Sequence, residues 1–278
     1  MLAAGTVFAA PGVVTAVAAA ALAIVFVCLW AISLGVGDVS IVDPVWGPAF
    51  VLVAVVCLLV GDADTGAGAA RRWILVAMTA IWGLRLGGYL LARKLGDREE
   101  DRRYAKMREQ QGDRFALYSL VVVFLAQGLL VLVVSLPLQV AAERSTPLGL
   151  SVWIGIALWA VGVFFESVGD EQMRRFKARG DTKGQVMDEG LWRYTRHPNY
   201  FGDFCVWWGL WLVALGAGGT WWTVVGPLVM SFLLIKGSGA ALLEKDIAER
   251  RPQYADYIRR TSSFIPLPPR RAARADSG

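Results

Sequence analysis

GLWRYTRHPNYFGDFCVWWGLWL, residues 190 to 212, sets the single histidine of the chain, a proline, an asparagine and an aspartate directly ahead of a tryptophan-rich apolar run. Such a segment reads as one entering a bilayer with polar chemistry at its mouth. The rest of the chain supports that reading. Of 278 residues, 56% are hydrophobic, and the mean hydropathy of +0.49 exceeds what a soluble domain of this size needs for its core.

Apolar runs of about 20 residues, the length that crosses a hydrocarbon core, occur near 13 to 34, 44 to 60, 73 to 92, 118 to 140, 148 to 169, 202 to 217 and 221 to 241. The expected architecture is therefore an all-α polytopic membrane protein with about seven transmembrane helices, the sixth being the shortest. No basic segment precedes the first run and only SLGVGD follows it, so it reads as an uncleaved helix rather than a signal peptide. Basic residues set the orientation. Eight of the 28 Lys and Arg lie between Arg93 and Arg114, seven between Arg174 and Arg196, and nine from Lys236 onward. With seven spans these share one side, while Arg71, Arg72 and Arg144 take the other and Arg85 lies within the third span. The positive-inside rule then places the N-terminus outside and the C-terminus in the cytosol.

Cys28, Cys57 and Cys205 fall in apolar runs without paired spacing and read as small buried hydrophobes. One histidine and three scattered cysteines argue against a zinc or haem enzyme. No internal repeat is visible, and residues 1 to 265 read as a single membrane domain followed by a flexible basic tail, 266 to 278. The charged stretch KLGDREEDRRYAKMREQQGDRF, 94 to 115, reads most simply as a solvated cytosolic helix, with a lipid-surface or ligand-gating role as the sharper alternative.

Ionisable groups inside spans cost a few kcal/mol each on insertion scales and ask for a partner or a ligand. On the third span Trp82, Arg85 and Tyr89 follow at three and four residues, which puts an indole, a guanidinium and a phenol on one helix face. That face lines a cavity or marks a snorkelling arginine between interfacial aromatics. Asp43, before Pro44, is an N-cap or, facing a cavity, an acid. Leaving the fifth span, Glu166, Asp170, Arg174 and Lys177 form one stripe, acids deep and bases at the exit. The order suits a nucleotide whose phosphates meet Arg174, Arg175, Lys177 and Arg179 near water while its ribose or amide end meets carboxylates inside; a charged juxtamembrane helix end is the plain alternative.

Pro198 disfavours helix at His197, and the bent turn delivers Asn199 to the start of the sixth span, where Asn199, Asp203 and Trp207 share a face. Unpaired N–H groups at such a start suit an anion or a carboxamide, although HPN also fits a simple capped turn. After the seventh span, Glu244, Asp246, Tyr254 and Tyr257 lie in an amphipathic cytosolic segment close enough to fold back over the same mouth. KGSGA, 236 to 240, is too short for a dinucleotide fingerprint.

Together, GLWRYTRHPNYFGDFCVWWG and LLEKDIAERRPQYADYIRRTSSFIP resemble the C-terminal half of the steroid 5α-reductase-like membrane proteins, and specifically their bacterial branch known as DUF1295. The resemblance runs over about 120 to 268 and is most specific from 165. It implies a multi-pass enzyme of the bacterial inner membrane that delivers hydride from NADPH to an electron-poor carbon–carbon double bond of a lipophilic enone, steroid-like or isoprenoid. Carried over by position, it implies cofactor contacts at Glu166, Asp170, Lys177, Asn199, Gly202, Asp203 and Trp207; Arg174, Arg196, His197, Glu244, Asp246 and Tyr257 complete the expected cytosol-facing pocket. Where the family has a tyrosine three residues before the arginine of the third span, this chain has Trp82, whose indole donates a hydrogen bond but supplies no proton at neutral pH. Tyr89 or Asp43 then takes the acid's task. RHPNYFG with a C-terminal glutamate and paired tyrosines is also similar to membrane methyltransferases of prenylated cysteine, which use S-adenosylmethionine. The positive stripe favours NADPH, which brings phosphate charges. A lipid-binding protein that keeps the pocket without catalysis is the third reading.

Overall fold

The computed structural model describes residues 12–61, 66–96, 99–142, 146–180, 182, 185–237 and 254–270. Among them the regular structure is helical, with one isolated bridge between Thr195 and Ser262. Five helical stretches are long and apolar enough to cross a membrane: Val13–Val36, Val39–Val60, Gly68–Gly96, Arg102–Val134 and Leu150–Ala178. They overlap the first five expected spans, the fourth starting 16 residues earlier than its expected 118 to 140. Of the last two, Trp221–Lys236 is a shorter apolar helix, and Pro198–Leu215 spends its first turns on Asn199 and Asp203. The chain divides into two compact units, Met1–Trp153 with Leu210–Gly226, and Ile154–Gly209 with Pro227–Gly278.

In the first unit, α1 (Val13–Val36) ends at Gly37, whose positive φ of 73° lets the chain turn and return its N–H to Ser33. A 3-10 helix (Val39–Val45) leads into α2 (Trp46–Val60), and α3 (Gly66–Gly96) packs on α2 without intervening side chains. A Cβ on Gly83 would lie 2.6 Å from the Gly47 carbonyl, and one on Gly87 would lie 2.6 Å from Pro48. Small residues one turn apart thus let the two backbones touch, as membrane helices favour. Cys57 is buried, whereas Cys28 lies on the exposed side of α1, because that helix buries only one narrow stripe.

The fourth long stretch is not one regular helix. α4 (Arg102–Gln111) is followed by α5 (Phe115–Ser119), a π-helical segment (Leu120–Leu125), α6 (Ala126–Val134) and, after a break at Ser135, α7 (Leu136–Ala141). Pro137 cannot supply the N–H that would continue the ladder. The buried Gln139 amide repairs the gap, donating to the Leu132 carbonyl and to Ser135 Oγ at 2.8 Å each. At the far end of α3, the fully buried Arg71 donates to Thr146 O and Thr146 Oγ1 at 3.1 and 2.8 Å and to Pro147 O at 2.7 Å. Thr146 Oγ1 in turn donates to Gly216 O at 2.8 Å. The guanidinium here serves the carbonyls of the loop before Leu150, and Thr146 passes one bond on to Gly216.

In the second unit, α8 (Leu150–Ala178) and α9 (Pro198–Leu215) meet along glycines. A Cβ on Gly162 would lie 2.5 Å from Gly202 O, one on Gly202 2.6 Å from Gly162 O, and one on Gly209 2.6 Å from Gly155 O. Gly155, Gly162 and Gly169 recur every seven residues, as do Gly202, Gly209 and Gly216. The chain therefore carries a periodicity after all, one of packing rather than of repeated domains. The unit closes with α10 (Val225–Phe232), of which it holds the part from Pro227, and with α11 (Tyr254–Arg260).

Asp38 caps the 3-10 helix, accepting from Ser40 N at 2.8 Å and Ser40 Oγ at 2.5 Å, and pairs with Lys94 at 2.6 Å. Burial opposes its charge, but Lys94 and Ser40 prevail and hold the carboxyl below its ordinary 3.8. A depressed carboxyl stabilises the fold fully above its unfolded pKa and loses that contribution as pH falls through the folded value. In thermal melts of the detergent-purified protein, Asp38→Asn should lower the melting temperature by a constant amount above about pH 5, and the gap should close as pH drops below 3.8. A gap that widens with acid would contradict this assignment.

Candidate functional site

The polar groups fall into two clusters, one in each unit. In the first, α3 carries Trp82, Arg85 and Tyr89 along one face, with Trp82 fully buried and Arg85 and Tyr89 half-buried. The Trp82 ring packs on Phe50 at 5.6 Å between centroids, and Phe50 on Trp46 at 5.4 Å. Trp82, Phe50 and Trp46 thus form an aromatic wall.

Asp43 does not cap a helix. It sits inside the 3-10 helix, whose N-cap is Asp38, because the chain begins to coil five residues earlier than the Asp-Pro pair suggests. Its carboxylate accepts from Tyr104 Oη at 2.8 Å and from Arg103 Nη2 at 3.2 Å, and Arg103 also pairs with Asp101. Further along, Glu100 accepts from Val39 N at 2.9 Å and is bound by Arg108, which reaches Gly37 O at 3.1 Å. The stretch 94 to 115 is therefore anchored, with Tyr104 buried at 6% exposure, and is more than a solvated helix. The signal in the sequence was a tyrosine in an otherwise charged run, but only the fold brings Tyr104 onto Asp43 across 61 residues.

In the second unit, Glu166 and Asp170 are buried at 2% and 5% exposure, one turn apart on α8. Arg174, Arg175, Lys177 and Arg179 follow, all exposed. The depth order of acids and bases matches the expected stripe. Arg174 and Arg175 grip Glu171 at 2.6 and 2.5 Å, and Arg179 grips Glu189 at 2.8 Å. The Arg179 guanidinium holds the Glu189 carboxyl below its ordinary value. These partners are local and acidic.

The turn before α9 is fixed from outside. Gly190 has φ 58°, and the next amide, Leu191 N, donates to Gln172 Oε1 at 2.9 Å. Trp192 Nε1 donates to Gly169 O at 3.0 Å, and Tyr257 Oη donates to Trp192 O at 2.5 Å. Arg196, 8% exposed, donates through Nη1 to Ile258 O at 3.0 Å and Thr261 O at 2.7 Å, and through its amide to Ser262 O at 2.9 Å. Thr195 Oγ1 donates to Phe264 O at 2.8 Å, and Leu267 N to Tyr194 O at 3.0 Å, so the start of the expected tail is tied down. Buried His197 stacks on Tyr200 at 5.3 Å and gives its carbonyl to Phe201 N, with Pro198 as the first helical residue, where a missing N–H costs nothing.

On α9, Asn199 and Asp203 are half-buried and Trp207 fully buried, four residues apart on one face. Gly202, between them, lies against α8: a Cβ there would fall 2.7 Å from Glu166 Cγ. One cluster therefore holds Glu166, Asp170, Gly202 and the HPN turn. Tyr254 and Tyr257 are both buried, their rings 5.5 Å apart. Glu244 and Asp246 lie outside the described residues. Sequence reasoning missed Gly162, Gln172 and Thr195; the heptad glycines were the available signal for the first.

Residues 29–261 match a family described as Protein of unknown function (DUF1295). Over 88 residues, 32% of this chain, the sequence is 31% identical to 3-oxo-5-alpha-steroid 4-dehydrogenase 1 of Homo sapiens and equally to that of Macaca fascicularis. The match spans about a third of the length of those relatives, 31% in each case. No solved structure matches the chain significantly.

Proposed function

Because the chain belongs to the DUF1295 family, we propose that it is a membrane-embedded reductase that uses NADPH to saturate a carbon–carbon double bond in a lipophilic enone, steroid-like or isoprenoid. The family membership and the stretch shared with a steroid dehydrogenase support an oxidoreductase. One observation carries the cofactor: two buried carboxylates, Asp170 and Glu166, lie about one and two turns below a basic exit whose arginines already grip carboxylates at 2.5 to 2.8 Å.

The residues fit such a group. Arg174, Arg175, Lys177 and Arg179 would hold its phosphates at the water boundary, exchanging Glu171 and Glu189 for a more highly charged anion. Glu166, Asp170, Asn199 and Asp203 would hold its hydroxyl and amide groups, and Trp207 would wall them. Gly202 keeps that wall thin, and Arg196 and Tyr257 hold the HPN turn in place. Glu244 and Asp246 belong to the same proposed set. NADPH, when bound, supplies hydride. In the first unit Arg85 and the Trp82 indole would donate hydrogen bonds to a ketone oxygen and so stabilise negative charge arising there. Tyr89 is the proton donor of choice, with Asp43, already hydrogen-bonded to Tyr104, as the alternative acid. In this account the chain crosses the bacterial inner membrane seven times, N-terminus outside and C-terminus in the cytosol, with α9 and Trp221–Lys236 as the last two spans.

Titration of fluorescent NADPH tests the assignment. Asn199→Ala and Asp203→Ala should each weaken binding about tenfold, roughly the 1.4 kcal/mol of one hydrogen bond to a polar ligand. Unchanged affinity in both removes the cofactor site. Tyr89→Phe should bind NADPH as the parent does and turn over at least a hundredfold more slowly, in the range typical of a lost general acid. Normal turnover in that variant transfers the acid to another residue.

A further inference from the structure

A groove of about 690 Å³ in the first unit lies away from the Trp82 wall. Val36 at the end of α1, Pro44 in the 3-10 helix, Pro48 in α2, and Leu84, Gly88 and Leu91 on α3 line its apolar length. Val36, Leu84 and Leu91 are exposed at 63%, 59% and 48%, so this face opens toward lipid. At about 30 Å³ per water-sized group, the space holds roughly twenty methylenes, a single acyl chain.

Among the described residues the charged members of the lining are Asp38 and Lys94, paired at 2.6 Å. Neither is saturated. Of the three N–H groups of Lys94, one goes to Asp38 and one to Glu99 O at 2.7 Å, which leaves a donor. Of the roughly four acceptor positions on Asp38, Ser40 takes two through Oδ1 and Lys94 one through Oδ2, which leaves an acceptor. One spare donor beside one spare acceptor is complementary to a head that carries a phosphate and an N–H-bearing cation.

We propose that this groove binds one zwitterionic phospholipid with a primary ammonium head, phosphatidylethanolamine: an acyl chain along Val36, Gly88 and Leu91, the phosphate on Lys94 and the ammonium on Asp38. A trimethylated choline head has no N–H for Asp38, and a glycerol head has no cation. The site is independent of the proposed reductase chemistry.

Gly88 supplies the test. A Cβ on Gly88 meets nothing within 4 Å, whereas one on the adjacent Gly87 would strike Pro48. A side chain at 88 therefore fills the groove without prying α2 from α3. Native mass spectrometry of the full chain in detergent, titrated with phosphatidylethanolamine, phosphatidylcholine or phosphatidylglycerol of matched chains, should show the first bound at least fivefold more tightly than the others. Gly88→Phe should weaken it at least tenfold, and Val36→Trp, which plugs the facing wall, should do the same if Gly88→Phe fails to fold. Asp38→Asn should erase the preference over phosphatidylcholine. Equal binding of the three lipids, preference for phosphatidylglycerol, or undiminished binding in the plugged variants would overturn the assignment.

Discussion

Gly202→Leu is expected to abolish NADPH binding and to leave little monodisperse protein in detergent. Any side chain at 202 begins with a Cβ 2.6 Å from Gly162 O, 2.7 Å from Glu166 Cγ and 2.8 Å from Glu166 N. Two of those three atoms are backbone within α8 and cannot turn aside. Relief requires α9 to back away, which also opens Gly209 from Gly155 and Trp159, where the clearance is equally short. Overpacking typically costs about 1–3 kcal/mol and more where rigid elements meet, against a total stability of about 5–15 kcal/mol. The damage also reaches Glu166 directly, so the proposed cofactor site is lost even in the fraction that folds. Gly35→Leu is the matched control, because a Cβ at Gly35 in α1 meets nothing within 4 Å. Size-exclusion profiles and thermal melts should show the control near the parent and Gly202→Leu collapsed. A Gly202→Leu protein that melts like the parent would refute the glycine seam.

Arg71→Leu should be the second severe variant. The fully buried guanidinium serves Thr146 O, Thr146 Oγ1 and Pro147 O, and among the described residues no carboxylate pairs with it. Removing it takes the charged donor from the carbonyls of half-buried Thr146 and exposed Pro147, at about 1.5–3 kcal/mol for each charge-assisted bond. Loss of about 3 kcal/mol in unfolding free energy is the expected outcome, read from thermal melts of the first unit's fluorescence. Arg71→Lys should recover only part of it, because an ammonium lacks the planar fork that spans both carbonyls. Full recovery by lysine would show that charge, and not the fork, holds the loops.

Much of this was legible beforehand, for identifiable reasons. Hydropathy located the five long spans because lipid demands about 20 apolar residues whatever the tertiary fold. The depth order from Glu166 to Lys177 and the shared face of Asn199, Asp203 and Trp207 follow from helical spacing alone, and burial agrees with both. What escaped depends on contacts distant in sequence. Tyr104 on Asp43, Arg196 on Thr261 and Tyr257 on Trp192 join residues 61 to 65 apart, which no local pattern encodes. The capping role of Asp38 was hidden by a 3-10 start before Pro44 that periodicity does not reveal. The heptad glycines were visible but carried no direction until Gly162 and Gly202 were seen back to back.

The most direct measurement of the central claim is isothermal titration of the full chain in detergent with NADPH and, in parallel, with S-adenosylmethionine. Saturable NADPH binding near one per chain, with no heat from S-adenosylmethionine, is the predicted result; binding of S-adenosylmethionine alone, or of neither, would contradict it.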